Sequence, residues 1–100
     1  MFISDYIELN NLKNKNEVER AILLCYYHFK ETGETTFSIV LISELMEQSG
    51  FNKPNSSRLR NNLIKGKNKA FINSKTEKNK LEFIPAVLQN LDKKFCTIWN

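Results

Sequence analysis

The fold is decided by residues 38–63, SIVLISELMEQSGFNKPNSSRLRNNL. Ser38 is a residue type that caps helices. The apolar side chains that follow it recur with the helical period, at Ile39, Ile42, Leu45 and Met46. Gly50 ends this first helical segment, and the turn-forming residues of FNKPN come directly after it. The stretch therefore predicts a helix, a turn and a second helix.

The second helix is predicted to start near Pro54, because a first turn tolerates proline, and to run to about Lys65. Asn55 or Ser56 would cap it. Leu59 and Leu63 lie one turn apart and would form its inward ridge.

Four polar side chains lie on the opposite side of this second helix. A rotation of about 100° per residue places them about 160° to 260° round from Leu59. They are Ser57, Arg58, Asn61 and Lys65, called the outer stripe below, with Arg60 and Asn62 on its flanks. Arginine pairs with the guanine edge, asparagine with the adenine edge, and lysine with phosphate or guanine. The stripe thus has the chemistry of a base-reading helix, although a merely solvated helix face also carries such residues.

The net charge of +4 is unevenly distributed along the 100 residues. Residues 1–50 contain four basic and eight acidic side chains, whereas residues 51–100 contain eleven basic and three acidic ones. Between Lys53 and Lys80, nine basic side chains accompany one acid, Glu77. Such segregation is typical of a surface that binds a polyanion. Compositional drift in an AT-rich gene is the alternative, but only three of the twelve lysines precede residue 53.

The segments before this stretch are predicted to be helical. Residues 17–31 show the helical period, with Asn16 as the N-cap and Gly33 as the C-cap. This helix is apolar on nearly all sides, which places it at the centre of the core or against a partner. Residues 2–12 fit a short amphipathic helix or an extended arm, and ETTFS at 34–38 is short and β-prone.

The segments after it predict a hairpin and a last helix. AFIN at 70–73 and KLEFI at 80–84 are expected to be two short strands joined by the polar tip SKTEKN. Phe71 would point inward, and Leu81 and Phe83 would share a face. Pro85 then opens the last helix at a first-turn position.

This order of elements resembles that of winged helix–turn–helix domains over about residues 16–96. The resemblance is carried by SIVLISELMEQSGFNKPNSSRLRNNL and by AFINSKTEKNKLEFIP. It implies a mainly α fold with a small β-hairpin (α+β), in which a three-helix core carries a wing and a C-terminal helix. Residues 1–100 are expected to form a single domain. Residues 16–96 are its core, residues 1–15 an N-terminal arm or short helix, and residues 97–100 an apolar tail.

The resemblance also implies roles for individual residues, because the second helix of such a unit enters the major groove while the wing straddles the adjacent backbone or minor groove. Arg58, Asn61 and Lys65 would read or position bases, with Ser57 and Arg60 assisting. The residues expected to grip phosphates are Lys67, Lys69, Lys75, Lys78 and Lys80. Lysines at a hairpin tip also serve solubility and protect the sheet edge, so that alternative stays open for each one.

Catalytic, metal and cofactor sites are not predicted. His28 is the only histidine, and a packed or half-exposed role is expected for it. Cys25 and Cys96 belong to no CxxC motif and are expected to be small buried hydrophobic residues, with a disulfide or a reactive thiol as the alternative. Neither GxGxxG nor GxxxxGK[ST] occurs. We therefore expect no enzyme, no cofactor and no small-molecule ligand.

The expected partners are double-stranded DNA and a second copy of the chain, bound through the first and terminal segments. The aromatic residues Tyr26, Tyr27, Phe29 and Trp99 could stack on single-stranded bases but fit core or dimer contacts better. No apolar run reaches the roughly 18 to 20 residues of a membrane span, and no signal peptide is evident, so a cytoplasmic protein is expected. A small transcriptional regulator is the first hypothesis. A protein-interaction module, or a subunit of a larger nucleic-acid-handling assembly, is the alternative, and RNA binding is a minor third option.

Overall fold

The computed structural model describes residues 1–95 and contains five helices and a two-stranded antiparallel sheet. In chain order the elements are α1 (Ile3–Leu9), a 3₁₀ turn (Leu12–Asn14), α2 (Glu17–Thr32), α3 (Ile39–Gln48), α4 (Ser56–Lys65), β1 (Phe71–Asn73), β2 (Leu81–Phe83) and α5 (Pro85–Lys94). The expected α+β class is confirmed at this level. Cys96, Trp99 and the tail at 97–100 lie outside the described residues.

The helix ends follow the capping chemistry of the sequence. The Asn16 side chain accepts a hydrogen bond from the Glu19 amide at 2.8 Å, and Gly33 ends α2 in the left-handed conformation with φ of 79°. Ser38 Oγ accepts from the Leu41 amide at 3.0 Å and begins α3. Pro85 occupies the first turn of α5, as predicted.

The start of α4 differs from the expectation by two residues. The helix begins at Ser56, and Pro54 lies outside it. Asn55 is the cap, because its side-chain oxygen accepts a hydrogen bond from the Arg58 amide at 2.9 Å. The buried Pro54 precedes this cap, where its missing amide proton affects no helical hydrogen bond.

Helix α2 is the centre of the core and is covered by the chain's own N-terminal segment. It contacts α3 and α4. On α1, the Tyr6 hydroxyl donates to the Leu23 carbonyl at 2.7 Å. Arg20 Nε donates to the Leu12 carbonyl at 2.9 Å and holds the 3₁₀ turn against α2. The apolar excess of α2 is therefore largely buried within this chain.

The residues singled out on α2 are packed. Cys25 is fully buried, and burial raises the pKa of its thiol far above the ordinary value, so it behaves as a small hydrophobic residue. His28 is half-buried, and its Nε2 lies 3.1 Å from a carboxylate oxygen of Glu34. Tyr26 is fully buried, whereas Tyr27 and Phe29 are partly buried against the core. The positions of these three aromatic residues agree with core packing.

The hairpin is attached to the core by an aromatic cluster. Phe71 pairs with Phe83 across the two strands, and their rings stack at 4.6 Å between centroids. Phe37, from the segment between α2 and α3, forms an isolated antiparallel bridge with Leu81 through two hydrogen bonds of 2.8 Å. Phe71, Leu81 and Phe83 are all buried, which confirms their predicted inward orientation.

Candidate nucleic-acid interface

Helix α4 has one buried and one exposed side, as its leucine spacing predicts. Leu59 and Leu63 are both 0% exposed. On the opposite side Ser57, Asn61 and Lys65 are exposed to solvent. The outer stripe therefore projects from the surface on a helix that two leucines hold in a fixed rotation.

Arg58, the fourth residue of the outer stripe, forms an ion pair with an acid of α2. Its Nη2 atom lies 3.0 Å and 3.3 Å from the two carboxylate oxygens of Glu17. The Arg58 side chain stays 61% exposed and that of Glu17 is 30% exposed. The pair lies in a shallow groove that Asn16, Val18 and Asn62 also line. This contact joins the first turn of α2 to the first turn of α4.

Arg60 is directed toward the hairpin rather than toward solvent. Its Nη2 donates a hydrogen bond of 2.7 Å to the side-chain oxygen of Asn73 at the end of β1. Arg60 is half-buried. The structure thus places this residue where it connects α4 to the hairpin.

The segment between α4 and β1, residues 66–70 and called the passage below, is tightly constrained and fixes where the hairpin begins. Gly66 follows the helix so closely that a Cβ atom there would lie 2.4 Å from the Asn62 carbonyl oxygen. The Ala70 amide then donates to the Leu63 carbonyl at 3.1 Å and connects the start of the hairpin to the end of α4. Lys67 and Lys69 are exposed on this passage.

The hairpin tip, residues 74–80, is held by polar contacts of its own and by one contact with Thr36. Ser74 Oγ accepts hydrogen bonds from the amides of Thr76 at 3.2 Å and Glu77 at 3.1 Å. The Glu77 carboxylate accepts a hydrogen bond from the Thr36 hydroxyl and lies 3.6 Å from Lys80 Nζ. The Thr36 hydrogen bond, and secondarily Lys80, lowers the pKa of the Glu77 carboxyl.

The ten predicted contact residues fall into two groups. Three of them already bind side chains of this chain: Arg58, Arg60 and Lys80. The other seven are exposed and form no side-chain hydrogen bond or ion pair within residues 1–95: Ser57, Asn61, Lys65, Lys67, Lys69, Lys75 and Lys78. The seven belong to α4, the passage after it and the hairpin tip, which follow one another along the chain, and α4 contacts β1 of the hairpin.

Three residues that sequence reasoning missed organise this surface. They are Glu17, Thr36 and Asn73, which bind Arg58, Glu77 and Arg60 respectively. Glu17 and Arg58 are 41 residues apart, and so are Thr36 and Glu77. No periodicity connects residues at such separations, so the sequence gives only the opposite charges of Glu17 and Arg58 as a signal.

Within residues 1–95, no group of three or more His, Cys, Asp or Glu side chains is placed to hold a metal ion. None of the helices described has both the length and the apolar character needed to cross a membrane.

Comparison of the chain with protein-family models, curated proteins and solved structures gives no match. Its function must therefore be inferred from the chemistry of this surface.

Proposed function

We propose that the chain is a winged helix–turn–helix domain that binds double-stranded DNA with sequence specificity, as a small transcriptional regulator. The observation that carries the proposal is the exposure of Asn61 and Lys65 on α4, which contacts β1 of a hairpin whose tip presents Lys75 and Lys78. A base-reading amide and phosphate-binding ammonium groups thus occur on neighbouring elements of one basic surface.

The arrangement of elements supports the winged-helix assignment. The bridge between Phe37 and Leu81 adds a short extended segment between α2 and α3 to the edge of the hairpin. The chain order is then helix, short strand, helix, helix and hairpin, which is the order of the family that the sequence resembles. In this reading α4 is the recognition helix and the hairpin is the wing.

The dimensions and side chains of α4 suit the major groove. Its ten residues span about 15 Å, and a helix with side chains is about 10–12 Å wide, close to the groove width of about 12 Å. Asn61 can form two hydrogen bonds with an adenine edge, and Arg58 can pair with a guanine edge. These two residues carry the sequence preference in the proposed complex.

The lysines around α4 supply affinity rather than specificity. Lys67 and Lys69 follow the helix, while Lys75 and Lys78 lie at the hairpin tip. Contacts between these groups and phosphates release counterions from the duplex, so binding weakens steeply as salt increases. The exposed Ser57 hydroxyl and nearby amides at the start of α4 can bind one further phosphate, or serve capping alone.

Fluorescence anisotropy with a random duplex, titrated from about 50 to 200 mM salt, tests the proposal. With six or more phosphate contacts, affinity should fall by about 10³-fold or more over this range. Lys78→Ala should weaken binding and reduce the salt dependence. The matched control is Lys93→Ala, which removes the same charge from the exposed end of α5. Absence of duplex binding at the lowest salt, or equal effects of the two substitutions, would contradict the proposal.

A protein-interaction module or a subunit of a larger nucleic-acid-handling assembly is the second candidate. The observation that favours it is the exposure of two large apolar side chains on and beside α1, with Phe2 at 78% and Leu9 at 61%. A failure to bind any duplex at low salt would favour the protein-interaction candidate. An unchanged fold in Leu9→Lys would show that the exposed Leu9 side chain is not needed for stability.

A further inference from the structure

The ion pair between Glu17 and Arg58 places an acid directly beside the proposed reading surface. The Glu17 carboxylate lies 3.0 Å from Arg58 Nη2, and both side chains are accessible to solvent. A negative charge here repels the phosphates of an approaching duplex. Neither the capping of α2, which Asn16 provides, nor the burial of α4 requires this contact.

The geometry of the pair leaves most of the guanidinium available. Both hydrogen bonds to Glu17 come from Nη2. A guanidinium has five N–H donors, and Nε and Nη1 of Arg58 form no hydrogen bond within residues 1–95. Glu17 therefore fixes the side chain from one edge while other donors remain free for a base.

We propose that Glu17 is a specificity-determining residue that acts through Arg58; the inference rests on the proposed DNA-binding function. Its carboxylate holds the guanidinium in position for a guanine edge and disfavours transfer of Arg58 to a phosphate. Phosphate contacts are made with any sequence, whereas base contacts depend on the site. Glu17 thus lowers binding to random DNA more than binding to the cognate site.

Glu17→Gln tests this, with Glu19→Gln as the matched control. Both acids lie in the first turn of α2, so both substitutions remove one charge and the same kind of favourable interaction with the helix dipole. Glu19 instead contacts Asn16 and Lys15 and does not touch Arg58. The cognate site is first selected with the wild-type protein from a random duplex library, and thermal melting checks that each variant is folded.

The quantity measured is the ratio of affinities for the selected duplex and a random duplex. We expect Glu17→Gln to strengthen random binding and to lower the ratio about tenfold, within the range of one base contact. Glu19→Gln should leave the ratio unchanged, because a charge that does not contact Arg58 affects both duplexes alike. In the Arg58→Ala background, Glu17→Gln should no longer change the ratio.

Two results overturn the inference alone, and a third overturns the proposed function together with it. If the wild type binds the selected duplex preferentially but Glu17→Gln keeps the ratio, Glu17 does not determine specificity. If Glu17→Gln and Glu19→Gln lower the ratio equally, the effect is general charge rather than the contact with Arg58. If the wild type binds no duplex, the proposed function and this inference both fail.

Discussion

Leu59 and Leu63 determine which side of α4 meets solvent, and therefore which side chains can meet DNA. Both are fully buried. Leu59→Ala should lower the free energy of unfolding by about 2–5 kcal/mol, because it removes buried methyl groups and leaves a cavity. Asn62→Ala, on the exposed flank of the same helix, should change it by no more than about 0.5 kcal/mol. Urea denaturation measures both. Equal effects of the two substitutions would contradict the assigned rotation of α4.

Substitutions of single residues should distinguish base contacts from phosphate contacts in the proposed interface. Asn61→Ala should cost about 1–3 kcal/mol on the selected duplex and relax the preference at one base pair. Lys78→Ala should weaken all duplexes alike and reduce the slope of log affinity against log salt by about 0.9. Anisotropy titrations of both variants with selected and random duplexes measure this. Identical behaviour of the two variants would refute the assigned roles.

The sequence predicted the orientation of these residues but not their partners. The exposure of Asn61 and Lys65 follows from the helical period, because it depends only on their spacing from Leu59 and Leu63 within the same helix. The ion pair of Arg58 with Glu17 depends on how α2 and α4 cross, and the sequence contains no pattern for a crossing. For the same reason the sequence does not predict the hydrogen bond between Arg60 and Asn73.

Among the elements, the hairpin depends on contacts from outside its own strands. Each strand has only three residues, and a two-stranded hairpin of this size is marginal alone. The Phe37–Leu81 bridge and the Thr36–Glu77 hydrogen bond attach its edge and its tip to the segment between α2 and α3. The Arg60–Asn73 hydrogen bond attaches the end of β1 to α4. Its position relative to α4 is therefore set before any ligand binds.

The contact of Glu77 at the hairpin tip should depend on pH. The pKa of this carboxyl is lowered in the folded protein, mainly by the Thr36 hydroxyl. A lowered folded-state pKa stabilises the tip above the ordinary glutamate pKa of about 4.3, and this contribution is lost as the pH falls through the lowered value. Amide shifts of the tip followed by NMR should show a transition below about pH 4.3. Glu77→Gln should lack that transition, and its persistence there would contradict the assignment.

Local sequence signals predict the helices and strands, whereas contacts between residues far apart in the chain have no such signal. The caps at Asn16 and Ser38 and the proline at the start of α5 act within one helical turn, so the sequence showed them. The composition of ETTFS indicates a β-prone segment, but the pairing of Phe37 with Leu81 spans 44 residues and has no sequence signature. Pro54 suits a first turn, so the sequence predicts the start of α4 two residues before its observed position. Asn55 provides the stronger cap, and the helix begins after it.

For the whole molecule, homodimerisation through the terminal segments stays a prediction. The N-terminal segment covers much of α2, so the apolar surface of that helix gives less support for a partner than its sequence suggested. Phe2 and Leu9 remain exposed near the N-terminus. Sedimentation equilibrium should give a mass of twice the chain mass of 11.7 kDa. Leu9→Lys should reduce the measured mass to that of one chain. A wild-type mass of one chain would rule the homodimer out under those conditions.

In the proposed complex, the exposed side of α4 and the hairpin tip contact duplex DNA together. An NMR titration of the ¹⁵N-labelled protein with the selected duplex tests it most directly, because it maps the contact residue by residue. We predict the largest amide shift changes at Ser57, Asn61, Lys65, Lys75 and Lys78, with small changes at Leu9 on α1 and Glu44 on the exposed side of α3. Shift changes centred on α1 or α3, with α4 and the hairpin tip unaffected, would contradict the account.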